Sequence, residues 1–262
     1  MYEQLLKNEP RWSPKNIKKS QKPDISCQVF CVILLAIDRK WKTRSELKMS
    51  IHYYSGFYEV LPKKMVELLQ KDIVDRKSIV MIDGWFPQED LSFAKNAWLD
   101  PAGIIFDEYH FIDENMPKEK AHLLLRNASV ILVLGGYTKL QNNFLTEYEL
   151  ATPIKESKAN VVIGFSAGSK NMSAKAICKK SNGYTIEETN GVYDGLFLDD
   201  FCFEPYFSLD NETLIKEELL PLSHEVDVYA ASNWMRVKDG EVLAFGDAYR
   251  ISKGKLEKLK AK

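Results

Sequence analysis

Five residues carry the clearest chemical signal in the chain: Gly164-Phe165-Ser166-Ala167-Gly168, a G-x-S-x-G arrangement. They follow the apolar run Val161-Val162-Ile163 and precede a segment, 169–177, that reads as a helix. A strand–turn–helix context of this kind is where a serine becomes a nucleophile. The reason is steric. The sharp turn leaves no room for large side chains two positions either side of the serine, and it lifts Oγ out at the carboxyl end of a sheet. The amino end of the following helix favours negative charge at the same place. Ser166 is therefore the expected nucleophile, against the bland alternative of a plain strand–turn–helix junction.

A second segment, Leu134-Gly135-Gly136-Tyr137-Thr138, also follows an apolar run. Paired glycines let a backbone N–H approach a ligand closely. Beside an elbow, such a loop can donate to an oxyanion. The N–H groups of Gly136 and Ala167 are the expected pair of donors. The competing reading is a tight strand-to-helix turn without chemistry.

A nucleophilic serine needs a base. The chain has four histidines: His52, His110, His122 and His224. His122 falls on an expected surface helix, His110 at a strand end and His224 before a strand. Each reads as non-catalytic, and His52 sits on the first strand with its facing open. Lys170 stands one helical turn beyond Ser166, the spacing a Ser–Lys pair would need, although a solvated lysine is the simpler reading.

The surrounding pattern indicates how these residues are positioned. Ser78–Ile82, Ser129–Leu134 and Asn160–Gly164 are short, β-branched runs suited to strands buried on both faces. Met49–Tyr54 and 104–112 also read as strands. Between them, Pro62–Lys71, 88–100, Lys118–Arg126 and Leu140–Leu150 read as helices. Alternation of this kind implies βαβ units, hence a mainly parallel sheet covered by helices on both faces. The site then lies at the carboxyl edge, where open α/β sheets bind ligands. Val226–Ala230, Trp234–Val237 and Glu241–Phe245 read as closing strands, with Lys238-Asp239-Gly240 as a hairpin turn.

Composition narrows the class. The chain has 262 residues, 45% hydrophobic and 28% charged, which excludes wholesale disorder and coiled coil. Its 36 Lys+Arg balance 37 Asp+Glu, so a general affinity for nucleic acid is not expected. Cys27, Cys31, Cys178 and Cys202 form no CxxC pair, and no histidine lies at metal-ligand spacing from them. Reduced thiols, a cytoplasmic location, and no metal or cofactor are expected. No apolar run reaches the roughly 18 residues of a membrane helix. Residues 1–45 hold ten Lys/Arg and four Asp/Glu and read as a basic N-terminal extension. Their apolar stretch 27–37 mimics a signal peptide, but Asp38-Arg39-Lys40 follows at once without a small-x-small cleavage site. The organisation expected is an extension at 1–45, one α/β domain at 46–252 and a Lys-rich, frayed tail at 253–262.

The two glycine motifs, in this order, resemble those of the serine peptidase family of dipeptidase E and cyanophycinase. Gly135-Gly136-Tyr137-Thr138 stands where that family shows GGN-T, and Gly164–Gly168 where it shows G-x-S-A-G. Ile51-His-Tyr-Tyr-Ser-Gly56 is similar to its first strand and loop, and Ser78–Asp83 to its second strand. Asp194–Leu198 and Phe201–Phe207 stand where the family carries a stretch ending in a Pro-His pair, and Gly240–Gly246 resembles its closing hairpin. The resemblance implies a class I glutamine amidotransferase-like, flavodoxin-like fold in three layers. It also implies a serine hydrolase acting on small peptides or amides, with Ser attacking an acyl carbon, His taking its proton and a carboxylate orienting the His. No nucleic acid, membrane or cofactor is implied, and a homodimer is the assembly to test.

The chain departs from that pattern. Phe203-Glu204-Pro205-Tyr206-Phe207 puts Tyr206 in the histidine's place, and a phenol with an ordinary pKa near 10 is a poor base at neutral pH. The orienting acid is expected around Ser181-Asn182-Gly183, which has no carboxylate. Tyr137 replaces the usual asparagine. The alternative to a working hydrolase is thus a catalytically degenerate relative that keeps its pocket for a small ligand or a protein partner. A third idea, amidotransferase-like chemistry, needs a cysteine at the elbow, and Ser166 argues against it. From Gly183 to Tyr229 there are twelve Asp/Glu against Lys216 alone. This is either a solvated acidic face or a mouth that disfavours acidic peptides.

Overall fold

A computed structural model describes residues 50–85, 91–178 and 191–260. The expectations for the 1–45 extension, for the Met49 start of the first strand and for Ser181–Gly183 lie outside the described residues.

The strands in chain order are β1 (Ile51–Ser55), β2 (Ser78–Ile82), β3 (Glu108–Ile112), β4 (Val130–Val133), β5 (Val161–Phe165), β6 (Lys175–Cys178), β7 (Gly191–Asp194), β8 (Cys202–Pro205), β9 (Val228–Ala231), β10 (Trp234–Lys238), β11 (Glu241–Phe245), β12 (Ala248–Ser252) and β13 (Lys255–Lys258). They form two sheets, ordered β11-β10-β1-β5-β4-β2-β3 and β13-β12-β9-β8-β6-β7. In the first, β1, β5, β4, β2 and β3 run parallel, and β10 and β11 close one edge antiparallel. This is an α/β fold with helices on both faces of a mainly parallel sheet, as expected.

Alternation along each strand divides the core. Ile51, Tyr53, Ile79, Met81, Leu132 and Ile163 face the helix Lys63–Asp72, through Met65 and Leu69, and the helical segment 91–99, through Trp98. Tyr54, Val80, Ile82, Ile131 and Val133 face the other way, onto Leu125 of helix Lys118–Asn127 and Phe144 of helix Thr138–Glu147. Period-two side-chain alternation makes this division automatic once the strands are set.

The second sheet departs from the expectation. Residues 169–177 do not make one helix: the helix Ala167–Met172 ends there, and Lys175–Cys178 becomes β6. β6 runs antiparallel to β7 and parallel to β8. Phe201 and Phe203 bring this sheet against Tyr54, with ring centroids at 5.1 and 5.4 Å. A third core, including Leu214, Leu219 and Leu222, packs on its other side. The segment expected to fray also differs, since Lys255–Lys258 pairs with β12 as a regular strand.

One buried ion pair fastens helix to sheet. Arg236 on β10 grips Asp72 at the end of helix Lys63–Asp72 with Nε–Oδ2 at 2.6 Å and Nη2–Oδ1 at 2.9 Å. Tyr53, opposite Arg236 on β1, donates to the same carboxylate at 2.6 Å. Burial alone would push the Asp72 carboxyl up. The hydrogen bonds from Arg236 and Tyr53, with the guanidinium charge, outweigh it and hold the group below the usual carboxylate range. A carboxyl lowered on folding stabilises fully above its unfolded pKa, about 4. That contribution is lost as pH falls through the lower folded value. Arg236→Met leaves the carboxylate buried without its cation and should cost about 3 kcal/mol of unfolding free energy at pH 7. The deficit, measured by urea unfolding, should shrink as pH is lowered towards protonation of Asp72. A deficit that stays constant across that range contradicts this role.

Candidate active site

β5 ends at Phe165 and the chain turns directly into the helix Ala167–Met172. Between them Ser166 takes φ 48° and ψ −110°, a left-handed backbone that a side chain rarely adopts. Its N–H donates to the carbonyl of Ser55 at the end of β1, at 2.8 Å. Ser166 is half-buried, whereas its neighbours Phe165 and Ala167 are buried.

Both glycines of the motif are sterically required. A Cβ on Gly164 would lie 2.6 Å from Met172 Sδ and 2.8 Å from Ser169 Cα. One on Gly168 would lie 2.1 Å from the carbonyl oxygen of Val133. The helix therefore starts pressed against the end of β4. The register pairs Val133 with Gly164, so the glycine loop after β4 lies level with Ser166. In that loop Gly136 has φ 142°, and a Cβ on it would meet the Gly84 carbonyl oxygen at 1.9 Å. Tyr137 N–H donates to Gly84 O at 2.9 Å, bridging the loops after β2 and β4. Asp83 supports the same corner. Its Oδ1 accepts the Trp85 N–H at 2.8 Å, and burial pushes its carboxyl above the usual range.

Buried polar side chains brace the turn, and none was picked out from sequence. Ser169 Oγ accepts from Ser55 N–H at 2.8 Å and lies 2.9 and 2.7 Å from the carbonyls of Ser55 and Gly164. Gln141 donates to the carbonyls of Asp83 and Leu134, at 3.0 and 2.9 Å. Asn171 donates to Gln141 Oε1 at 2.9 Å, and Asn142 donates to the Asp194 carbonyl at 2.8 Å. Two adjacent amides on an otherwise apolar helix face, Gln141 and Asn142, were the available signal.

The candidate bases lie elsewhere. Among the described residues no side chain hydrogen-bonds Ser166 Oγ. His52 is at the amino end of β1, bonded to Ser50 and Asp199. His110 meets Glu108 at 3.0 Å, His122 meets the Tyr148 carbonyl at 2.6 Å, and His224 sits beside the Gly254 turn. Lys170 is engaged by other partners: its amine donates to Glu204 Oε1 at 2.9 Å and to the Ile177 carbonyl at 3.1 Å, with both side chains nearly fully buried. The Ser–Lys pairing is therefore not made, and Glu204 serves that ion pair.

Tyr206 does come to the site. It follows β8 in a left-handed conformation, φ 60°, and is largely exposed. Its ring closes over Gly56, where a Cβ would lie 2.6 Å from Cε1, and its hydroxyl accepts the Phe57 N–H. Gly56 adjoins Ser55, whose carbonyl holds the Ser166 N–H. Burial, and then the nearby Tyr206, push the Tyr58 phenol up to about 12, so it stays protonated at neutral pH.

A parallel α/β sheet with a left-handed serine and a glycine loop at its carboxyl edge defines the class. The model of peptidase family S51 matches residues 94–250, more than half of the chain, and the chain belongs to that family. No curated protein matches it. Similar solved structures include a peptidase from an acI-B1 Actinobacterium, 17% identical, TM-score 0.60, covering 83% of this chain and 97% of that one. Another is a putative peptidase E protein from Listeria monocytogenes EGD-e, 18% identical, TM-score 0.54, covering 81% and 100%. At these identities the likeness shows the fold.

The glycine contacts yield a sharp contrast. Gly168→Ala forces a Cβ onto the Val133 carbonyl and should cost about 3 kcal/mol, as overpacking does. Gly240→Ala meets nothing within 4 Å and bears only the left-handed backbone at φ 78°, about 1 kcal/mol. Urea unfolding of the two variants checks this, and equal losses would contradict the close approach.

Proposed function

We propose that the chain is a serine-type hydrolase of small peptides or amides, with Ser166 as nucleophile and the N–H groups of Gly136 and Ala167 as oxyanion donors. The observation that carries the reading is the Ser166 backbone at φ 48°, ψ −110°, between a strand end and a helix start. That conformation is strained, and strain of this kind persists where the surroundings over-determine it. Ala167 opens the helix, where the first N–H groups have no intrahelical carbonyl to bond. Membership of a peptidase family supports the reaction class.

In this mechanism Ser166 Oγ attacks the substrate carbonyl carbon. The carbonyl oxygen gathers charge and is held by the two backbone donors. The proton that a family histidine would take has no histidine to receive it. By the resemblance Tyr206 stands in that place, and its hydroxyl oxygen accepts the Phe57 N–H. Removing a triad base leaves the rate that positioning and oxyanion stabilisation give, orders of magnitude below a full triad. Slow turnover is thus part of the proposal. The second reading, a pocket kept for binding a small ligand or a protein partner, is favoured by one observation: Lys170, the other base within a helical turn, is locked to Glu204.

Tyr206→His tests both readings. Histidine tolerates a left-handed backbone better than most residues. Restoring an imidazole there should raise kcat/KM on small peptide amides at least about tenfold, within the usual range for a general base. Ser166→Ala should abolish that gain. If folded Tyr206→His shows no gain over the parent, and neither protein shows Ser166-dependent hydrolysis, the hydrolase reading fails and the binding reading stands.

A further inference from the structure

A second serine stands in a Ser–His–Asp relay, at the opposite end of the sheet from Ser166. Ser50 precedes β1 and His52 lies on it. They stand two positions apart, one full period of a strand, so their side chains share a face. Ser50 Oγ is 2.6 Å from His52 Nε2, and His52 Nδ1 is 2.6 Å from Asp199 Oδ2. Asp199 comes from 147 residues further along the chain, in the turn between β7 and β8. Tyr54, the next residue on the same face of β1, donates its hydroxyl to the same Oδ2 at 2.6 Å. His52 is buried at 7% exposure, Asp199 is mostly covered, and Ser50 is half-buried.

The order of atoms matters. The carboxylate faces Nδ1, so it fixes the tautomer with hydrogen on Nδ1 and leaves the Nε2 lone pair towards the hydroxyl. Reversed, the same three residues would be a plain polar network. Asp199 is itself held from a second side by Tyr54, so the imidazole is clamped in the plane that serves Ser50. A serine hydroxyl whose proton is already directed at a neutral, oriented imidazole is an activated nucleophile. β1 separates this relay from Ser166, at about 3.3 Å per residue over the strand's length, so the two serines cannot share a substrate carbonyl.

We propose that Ser50 is a second acyl-acceptor site, which takes an acyl group from activated esters or thioesters independently of Ser166. In the step, Ser50 Oγ bonds to the acyl carbon and its proton passes to His52 Nε2. The bond from the acyl carbon to the leaving alkoxide or thiolate breaks, and that group takes the proton from Nε2. The products are acyl-Ser50 and a free alcohol or thiol, with His52 neutral again. Asp199 and Tyr54 are positioning residues.

The experiment uses full-length Ser166→Ala protein, p-nitrophenyl acetate as probe, and peptide mapping by mass spectrometry. The expected result is acetylation at Ser50, slowed at least about a hundredfold by His52→Gln, the loss a missing general base brings, and slowed as well by Asp199→Asn. A folded Ser166→Ala protein that stays unmodified at Ser50 overturns the proposal. So does a His52→Gln protein that reacts as fast as its parent. Should those variants not fold, the parent decides: acetylation of Ser50 that is lost on unfolding in urea supports the relay, and acetylation as fast in the unfolded protein overturns it. Because Ser166 is absent throughout, the result is independent of the elbow hydrolase reading.

Discussion

The left-handed backbone at Ser166 is the constraint on which the rest of the site depends. It turns β5 into a helix within one residue, and it does so only because two backbones touch where side chains would ordinarily stand. Gly168 lies against the Val133 carbonyl, and Gly164 against Ser169 and Met172. Every bracing contact follows from that crowding. Ser55 holds the turn from β1 through Ser169, and Gln141 holds it from the helix after the glycine loop through Asn171 of the elbow helix. Buried amides of this kind stay ordered only when fully bonded, so the brace and the close approach stand or fall together.

Charge in this region is placed away from the turn. Lys170 shares the helix with Ser166 yet serves the second sheet, where its amine joins β8 through Glu204 and β6 through the Ile177 carbonyl. Breaking a buried pair by removing one partner is costly, so the lysine is bound into the structure and not held in reserve. In the proposed reading the donors around Ser166 are the backbone N–H groups of Gly136 and Ala167. Such a site can stabilise developing negative charge but has little means of accepting a proton. In the proposed reading that asymmetry, an oxyanion corner without a histidine base, sets the chemical character of the site.

Much of the first sheet was legible in the sequence. Ser78–Ile82, Val130–Val133 and Val161–Phe165 are buried on both faces, so they appear as unbroken β-branched runs with turn residues at each end. The G-x-S-x-G turn was legible for the same reason: its steric demands fall on residue types that nothing else satisfies. The second sheet was not. β6 follows the elbow helix so closely that Lys175–Cys178 reads as its continuation, and β8 carries Glu204, a charge that argues against burial until Lys170 is seen beside it. The bracing amides left one local mark, Gln141 and Asn142 on a helix face that is otherwise apolar, and the groups they bond lie far along the chain. The Ser50–His52–Asp199 relay joins residues on either side of most of the domain, a pairing no local pattern encodes.

The account turns on whether Ser166 is reactive at all, and covalent labelling with a small fluorophosphonate reads this directly. Wild-type protein should gain a phosphonyl group on the peptide that carries Ser166, and unfolding the protein in urea beforehand should abolish that reaction, because the turn and its backbone donors are lost together. Folded protein in which Ser166 remains unlabelled, while a family member with an intact histidine labels in parallel, would contradict the account.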